Sequence, residues 1–171
     1  MSQHPPILIV DESDNPTGAA SMSEAHEEGM WHRIVFVMVE DESGNVLLQK
    51  RGPGMATYPN CWDVSAAGHV DQGEDYHAAA LRELHEELGI KSAQLIEVGT
   101  YRSQEIFEGR KLNRFNKAYK LIVPKDIALQ PQQSEVAELR WFGAADVTAL
   151  MTEHPNDVAS GLVAFLERYH A

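Results

Sequence analysis

The segment Gly68 to Ile90, GHVDQGEDYHAAALRELHEELGI, constrains this chain more than any other. Asp75 to Leu88 has the periodicity of an α-helix, and Gly89 ends it as a glycine just past a helix terminus does. At about 100° per residue, Leu81, Leu84 and Leu88 share one face, which predicts that they anchor the helix to a core. Glu83, Glu86 and Glu87 fall within an arc of about 100° on roughly the opposite face, so they are expected to point away from the core as one cluster. Like charges at this spacing weaken a helix by about 0.2–0.5 kcal/mol per pair. The plain reading is a solvated acidic face with Arg82 nearby. A hard divalent cation reverses the sign of the interaction, because Mg²⁺ and Mn²⁺ take oxygen ligands and bridge carboxylates to phosphates. The flanks favour the cation. Gly68 ends a strand before a polar loop, where its carbonyl can reach a metal, and Asp71-Gln72-Gly73 is a turn that aims the helix.

The remainder of the chain bounds the setting. Its 171 residues fit a single domain, 1–171, and 43% hydrophobic content is enough for a sizeable core. Cys61 is the single cysteine, so no intramolecular disulfide forms and the chain reads as cytoplasmic. Residues 1–6 are polar and proline-bearing, unlike a signal peptide, and no apolar run approaches the ~18 residues of a membrane span. A formal charge of −12 argues against binding a nucleic acid polymer but not against small phosphorylated molecules held through metal ions. A homodimer is compatible with the chain, and nothing in the residues sets the oligomeric state.

Ile7 to Val10 reads as a strand, followed by a turn from Asp11 through Gly18. Ser21 to Gly29 reads as a short helix, and Ile34 to Val39 as a buried strand that forms a hairpin with Val46 to Gln49. Arg51 to Asn60 is a loop, and Trp62 to Val70 is strand-like. Leu95 to Phe107 and Phe115 to Val123 are further strands around a polar turn, Glu108 to Asn113. Leu139 to Phe142 is a last strand, and Asp146 to Met151 and Val158 to Tyr169 are helices. The order is mixed rather than regular βαβ, which predicts the α+β class, a mixed sheet between helices.

The segment 68–90 resembles the Nudix box at every defined position. The pattern is Gly68, five residues, Glu74, seven residues, Arg82-Glu83, the aliphatic Leu84, one residue, Glu86-Glu87, one residue, Gly89 and the aliphatic Ile90. The resemblance implies a Nudix fold, an α/β/α arrangement with the box as strand, loop and helix. It implies that Glu83, Glu86 and Glu87, with the Gly68 carbonyl, hold Mg²⁺ or Mn²⁺, while Glu74 and Arg82 orient the carboxylates. It also implies hydrolysis of a diphosphate linkage in a small molecule, such as a nucleoside diphosphate joined to another moiety or a similar organic diphosphate. The general base is then a carboxylate: Glu86 within the box, or a residue on a distant loop, for which Glu135 is first choice and Glu138 and Glu105 are alternatives. Lys50, Arg51 and Arg114 are the candidate substrate-binding cations, the last within a basic run of Arg110, Lys111, Arg114, Lys117 and Lys120. Strand alternation puts Arg114 and Phe115 on opposite faces. Trp31, Trp62 and Trp141 read as core.

Outside the box the chain is similar to isopentenyl-diphosphate isomerases, in Val10-Asp11, Asp14, Gly18, His26, His32-Arg33, Leu47-Leu48-Gln49, Arg51, Tyr58-Pro59, Trp62 and Gly68-His69. That resemblance implies that His26, His32 and His69 converge as a second metal site. It breaks at the chemistry: Ala67 stands where the isomerases have a catalytic cysteine, Cys61 lies six residues earlier, and Leu112-Asn113-Arg114-Phe115 lacks their pair of glutamates. Three histidines alone make an incomplete site for Mn²⁺ but a three-ligand site for Zn²⁺ with an open position. The expectation is therefore hydrolysis, with isomerisation and a non-catalytic nucleotide-binding module as alternatives.

Overall fold

The run Ile34-Val35-Phe36-Val37-Met38-Val39 is apolar on both of its faces, so it has to lie in a sheet covered on both sides. In the computed structural model, which describes residues 4–170, it does. In chain order the elements are β1 (Ile7–Val10), β2 (Pro16–Ala20), α1 (Met22–Glu28), β3 (His32–Asp41), β4 (Val46–Arg51), β5 (Trp62–Asp63) and β6 (Ala66–His69). There follow α2 (Tyr76–Leu88), β7 (Ile96–Phe107), β8 (Arg110–Val123), β9 (Val136–Phe142), α3 (Ala144–Glu153), a 3₁₀ turn at Pro155–Asp157 and α4 (Ser160–Tyr169). Strand β3 is the spine: it pairs antiparallel with β1, β4 and β6 and parallel with β8, and β8 carries β7.

Alternation along β3 splits the core into two layers. Val35, Val37 and Val39 pack with Ala79, Ala80, Leu84 and Leu88 of α2. Ile34, Phe36 and Met38 pack with Val147 and Leu150 of α3 and Leu162, Phe165 and Leu166 of α4. This is the α+β, mixed-sheet-between-helices architecture expected from the sequence. Among the described residues no helix is long and apolar enough to cross a membrane. The reading of residues 1–6 falls partly on residues 1–3, outside the described part.

Several local expectations are corrected. The turn after β1 is shorter than read, because Pro16 already opens β2, which pairs back on β1. Trp62 to Val70 is two strands, not one. At the break the Ser65 hydroxyl accepts from Val39 N–H at 2.7 Å and donates to the Leu47 carbonyl at 2.5 Å. It thus bridges β3 and β4 where their two-pair ladder ends. The turn between β7 and β8 is only Glu108-Gly109, both in the left-handed region (φ 47° and 81°), so β8 begins at Arg110. On α2, Leu81 is only half-buried, while Glu83 and Glu87 are buried with Leu84 and Leu88. The helix faces the sheet along its 80–84–87 side, and the expected outward cluster of all three glutamates does not form.

Leu84 is fully buried. Leu84→Ala is expected to cost about 2–5 kcal/mol in urea unfolding, and Leu81→Ala distinctly less; equal costs would contradict this placement of the helix.

Candidate active site

Helix α2 is held at both ends. Asp75 caps it, accepting from Ala78 N–H at 2.8 Å. At the other end Gly89 (φ 75°) sends its N–H to His85 O at 3.0 Å, and Ile90 sends its own to Leu84 O at 3.2 Å. The last open carbonyls, Glu87 O and Leu88 O, accept from Gln132 and Gln130 N–H at 3.2 and 2.9 Å. The segment leading to β9 is thereby tied to the helix end.

Arg82 organises the approach to the helix. Its guanidinium donates to both Glu74 oxygens (2.7 and 3.0 Å), to Glu83 (2.7 Å), to Glu86 (3.1 Å) and to the His69 carbonyl (2.8 Å). Glu74 also accepts from Asp71 N–H at 3.0 Å. Burial alone would raise the Glu74 pKa, but these bonds outweigh it and hold the carboxyl below its ordinary range. Glu74 and Arg82 thus form one hydrogen-bonded unit with Glu83 and Glu86.

Glu83 and Glu87 lie under β6. A Cβ added to Gly68 would stand 1.9 Å from Glu83 Oε1, so the absent side chain is the space the carboxylate fills. Glu87 Oε2 accepts from Gln49 Nε2 at 2.6 Å and from Ala67 N–H at 3.2 Å. Burial, against the pull of Arg82, pushes the Glu83 carboxyl up to about 8. Burial and the neighbouring Glu83 push Glu87 well above the usual carboxylate range. Two adjacent buried carboxyl groups call for a counter-charge, and a hard dication supplies one. The residues present fit the hard cation that the box implies, with Glu83 and Glu87 inside and the exposed Glu86 at the rim.

Glu135 is half-buried beside this site, and its charge acts on both Glu83 and Glu87. Its carbonyl accepts from Gly52 N–H at 2.7 Å, and its carboxylate from Gln132 at 3.3 Å. Glu138 is half-buried on the face that Lys50 shares, away from Gln49 and Glu87, and pairs with Arg140 at 2.5 Å. Glu105 is engaged elsewhere: it accepts from the Tyr58 hydroxyl, and from Ser160 at 2.9 Å.

The cations separate. Lys50 is half-buried, its ammonium 5.9 Å from the Trp62 ring centre. Arg51 holds the loop that follows it, donating to Thr57 O at 3.0 Å and pairing with buried Asp63 at 3.2 Å. The basic run of β8 does not act as a unit. Lys117 and Lys120 are paired with Glu97 and Glu40 at 2.7 and 2.8 Å, and Arg110 lies 3.7 Å from Glu108. Lys111 is exposed, and Arg114 differs from all of these. Its face is the opposite of Phe115, which packs with Trp31, and its Nε is buried without a partner. Trp31 and Trp62 are core residues, and Trp141 packs against the core from a half-buried position.

The three histidines converge. Ring centres are 5.3 Å apart for His26–His32, 5.6 Å for His26–His69 and 5.3 Å for His32–His69, and one ligand atom of each lies within 4.8 Å of the others. Three elements bring them together: α1, β3 and β6. His32 Nδ1 donates to the Met30 carbonyl at 2.8 Å, which leaves a lone pair on Nε2. All three Nε2 atoms are buried and without partners. Burial pushes His26 down to about 4 and His32 to about 3, and His69 well below the ordinary range, with the Arg114 charge adding to the depression in each. The imidazoles are neutral, as ligation requires. His4 stands edge-on to His69 at 6.1 Å.

Ala67 lies on β6 opposite Phe36, beside Glu87, and brings no thiol. Cys61 is elsewhere, 3.7 Å from Asn156 O. Sequence reasoning missed three polar supports: Ser65, Asp63 and the Tyr58–Glu105–Ser160 cluster. Only Gln49 left a local trace, as an amide ending the apolar run Val46-Leu47-Leu48 on the face that Leu47 shares.

Gly68→Ala is expected to expel Glu83 from its place, weakening Mg²⁺ or Mn²⁺ binding at least tenfold by calorimetry and costing about 1–3 kcal/mol of stability. Gly18→Ala, which meets nothing within 4 Å, serves as the silent control. Unchanged metal affinity in Gly68→Ala would dismiss the cradle.

Residues 30–162 match the family model described as the NUDIX domain. The chain is 36% identical to an isopentenyl-diphosphate Delta-isomerase of Nocardia farcinica, over 95% of this chain and 93% of that one. It is 37% identical to an uncharacterized Nudix hydrolase of Pseudomonas aeruginosa, over 80% of this chain and 77% of that one. Among solved structures, DR0079 of Deinococcus radiodurans superposes with a TM-score of 0.76 at 21% identity, covering 96% of this chain and 99% of that one. The NUDIX domain of Shewanella oneidensis NrtR, solved with ADP ribose, gives 0.63 at 17% identity, covering 81% and 85%. The complete box, its buried carboxylates and these likenesses together make the chain an enzyme of the Nudix hydrolase superfamily, in the branch that resembles isopentenyl-diphosphate isomerases.

Proposed function

We propose that this protein hydrolyses a diphosphate linkage in a small organic molecule, with Mg²⁺ or Mn²⁺ held by Glu83, Glu86, Glu87 and the Gly68 carbonyl. Nudix hydrolases generally need divalent cations and cleave pyrophosphate linkages; the choice of ions and substrate class here is our own. The observation that carries the reading is the pair Glu83 and Glu87, buried side by side beneath Gly68. When bound, the cation neutralises charge on the phosphate oxygens and lowers the pKa of its water.

The chain's own residues do the remainder. Arg82 and Glu74 fix the directions of Glu83 and Glu86. Gln49 and the Ala67 N–H leave one Glu87 oxygen free for ligation. Glu86, exposed and held by Arg82, or Glu135, on the loop tied to the helix end, accepts the proton of the attacking water. Lys50, Arg51 and Arg114 are assigned to phosphate groups, Arg51 chiefly by fixing the 52–61 loop; Lys50 and Arg114 leave the sheet on the face of Trp62 and His32, so they would meet a phosphate on that side and not one seated at the glutamates. An ADP-ribose-like nucleoside diphosphate heads the substrate list, since a similar fold was solved with that ligand. The three histidines suit a borderline cation such as Zn²⁺ rather than Mg²⁺.

A panel of nucleotide and prenyl diphosphates with Mg²⁺ or Mn²⁺ tests the activity by phosphate release. Glu87→Gln keeps shape and removes charge, so turnover is expected to fall by about two orders of magnitude or more while the thermal transition persists. Full activity in that variant would remove the assignment, and no cleavage of any panel member would favour the binding-module alternative.

Isomerisation is a second reading, favoured by the histidine convergence and the Nocardia relative. Ala67 and Arg114 oppose it, because neither can add or remove a proton at carbon. Interconversion of isopentenyl and dimethylallyl diphosphate is expected to stay at background, and a clear rate above it would overturn the hydrolase reading.

A further inference from the structure

Four buried nitrogens in the described structure lack a hydrogen-bond partner and share one neighbourhood: Nε2 of His26, His32 and His69, and Nε of Arg114. Buried polar atoms without partners are rare and call for a ligand. Their needs are opposite. His32 Nε2 offers a lone pair, because its Nδ1 proton is given to Met30. Arg114 Nε carries a hydrogen and requires an acceptor. The two residues are register partners on the parallel pair β3 and β8, so their side chains leave the same face of the sheet as neighbours.

Charge decides what can fill this place. Three imidazoles give a dication lone pairs but no negative charge, and the Arg114 cation stands beside them. Among the described residues no carboxylate joins the histidine cluster. The acids that act on Arg114 are Glu105 and Asp63. Glu105 has both oxygens taken by Tyr58 and Ser160. Asp63 is taken by Arg51 and by Val64 N–H. Asp63 is thus offset by Arg51 and Glu105 by Arg114, so among the described residues no carboxylate is left to balance a dication on the histidines, and that negative charge has to come from a bound anion.

We propose that His26, His32, His69 and Arg114 form one site for a metal–oxyanion pair. A borderline dication of the Zn²⁺ class sits on the three Nε2 atoms. A phosphate-class anion takes the open coordination position and accepts from Arg114. The proposal rests on the reading of the histidines as ligands and goes beyond it, because Arg114 makes metal and anion binding mutually dependent. One anion then answers both the open metal position of a three-histidine site and the orphaned guanidinium N–H. By linkage, each partner tightens the other by the same factor.

Calorimetric titration of the full chain with Zn²⁺, in excess Mg²⁺ to occupy the glutamate site, tests it. Three conditions are compared: no added anion, inorganic phosphate, and ADP. His69→Ala reports Zn²⁺ bound elsewhere. The expected result is Zn²⁺ binding that His69→Ala abolishes and that an anion tightens about tenfold or more. Enhancement by phosphate marks a free-ion site, and enhancement by ADP alone marks a substrate phosphate. Arg114→Gln should bind Zn²⁺ yet lose the enhancement. Equal wild-type affinity in all three conditions would overturn the coupling while leaving the histidine site standing. Zn²⁺ binding that His69→Ala leaves intact in every condition would overturn both. The wild-type comparison needs no variant, so a poorly folded Arg114→Gln does not spare the idea.

Discussion

The structure turns on the burial of two carboxylates, Glu83 and Glu87, against the short strand β6. An isolated buried carboxylate is costly, and two together are worse unless a cation compensates them. The surrounding residues can be understood as answers to that cost. Gly68 has no side chain because Glu83 occupies its place. Arg82 reaches three glutamates and the His69 carbonyl with one planar fork, which lysine could not do. Gln49 interrupts an apolar strand to reach Glu87. The apolar face of α2 is what makes the arrangement rigid, since Leu84 and Leu88 fix the helix height above the sheet.

Strand β6 is four residues long and serves both faces of the sheet. Gly68 opposes Val35 and turns toward α2, whereas His69 opposes Ile34 and turns toward the histidine cluster. Period-two alternation thus places two chemically different sites back to back. One is made of oxygen ligands suited to a hard cation, the other of nitrogen ligands and a guanidinium. A change in the β3–β6 register by a single residue would exchange them and dismantle both.

Against the isomerase-like frame, the chemistry-bearing positions differ in a consistent direction. The thiol position is Ala67, the glutamate-bearing strand segment carries Arg114, and the box carboxylates are complete. Among the described residues the helix side has three glutamates, whereas the histidine cluster itself has no carboxylate ligand. The Tyr58–Glu105–Ser160 cluster belongs to this altered side. It ties the 52–61 loop, where Tyr58 and Asn60 sit at positive φ (49° and 61°), to β7 and to the start of α4. Strain of that kind in non-glycine residues persists only where the surroundings hold it.

By itself the sequence determined the α+β class, the extent of α2 with its Asp75 and Gly89 ends, and the identity of the acidic residues in the box. These are local: capping, a 3.6-residue period and a fixed motif act within one segment. The opposite facing of Arg114 and Phe115 was legible for the same reason, as a two-residue period. Only the tertiary structure decided which side of α2 is buried, because a helical wheel lacks the neighbour that makes Glu83 and Glu87 interior. It also decided where the histidines go, since α1, β3 and β6 are brought together by sheet pairing that no local spacing encodes. The engagement of Arg51 with Asp63, the role of Ser65 as a bridge and the solitary position of Arg114 among three histidines depend on contacts between distant segments. Charge patterns read along the chain show which groups are available, and burial in three dimensions decides which of them are left without a partner.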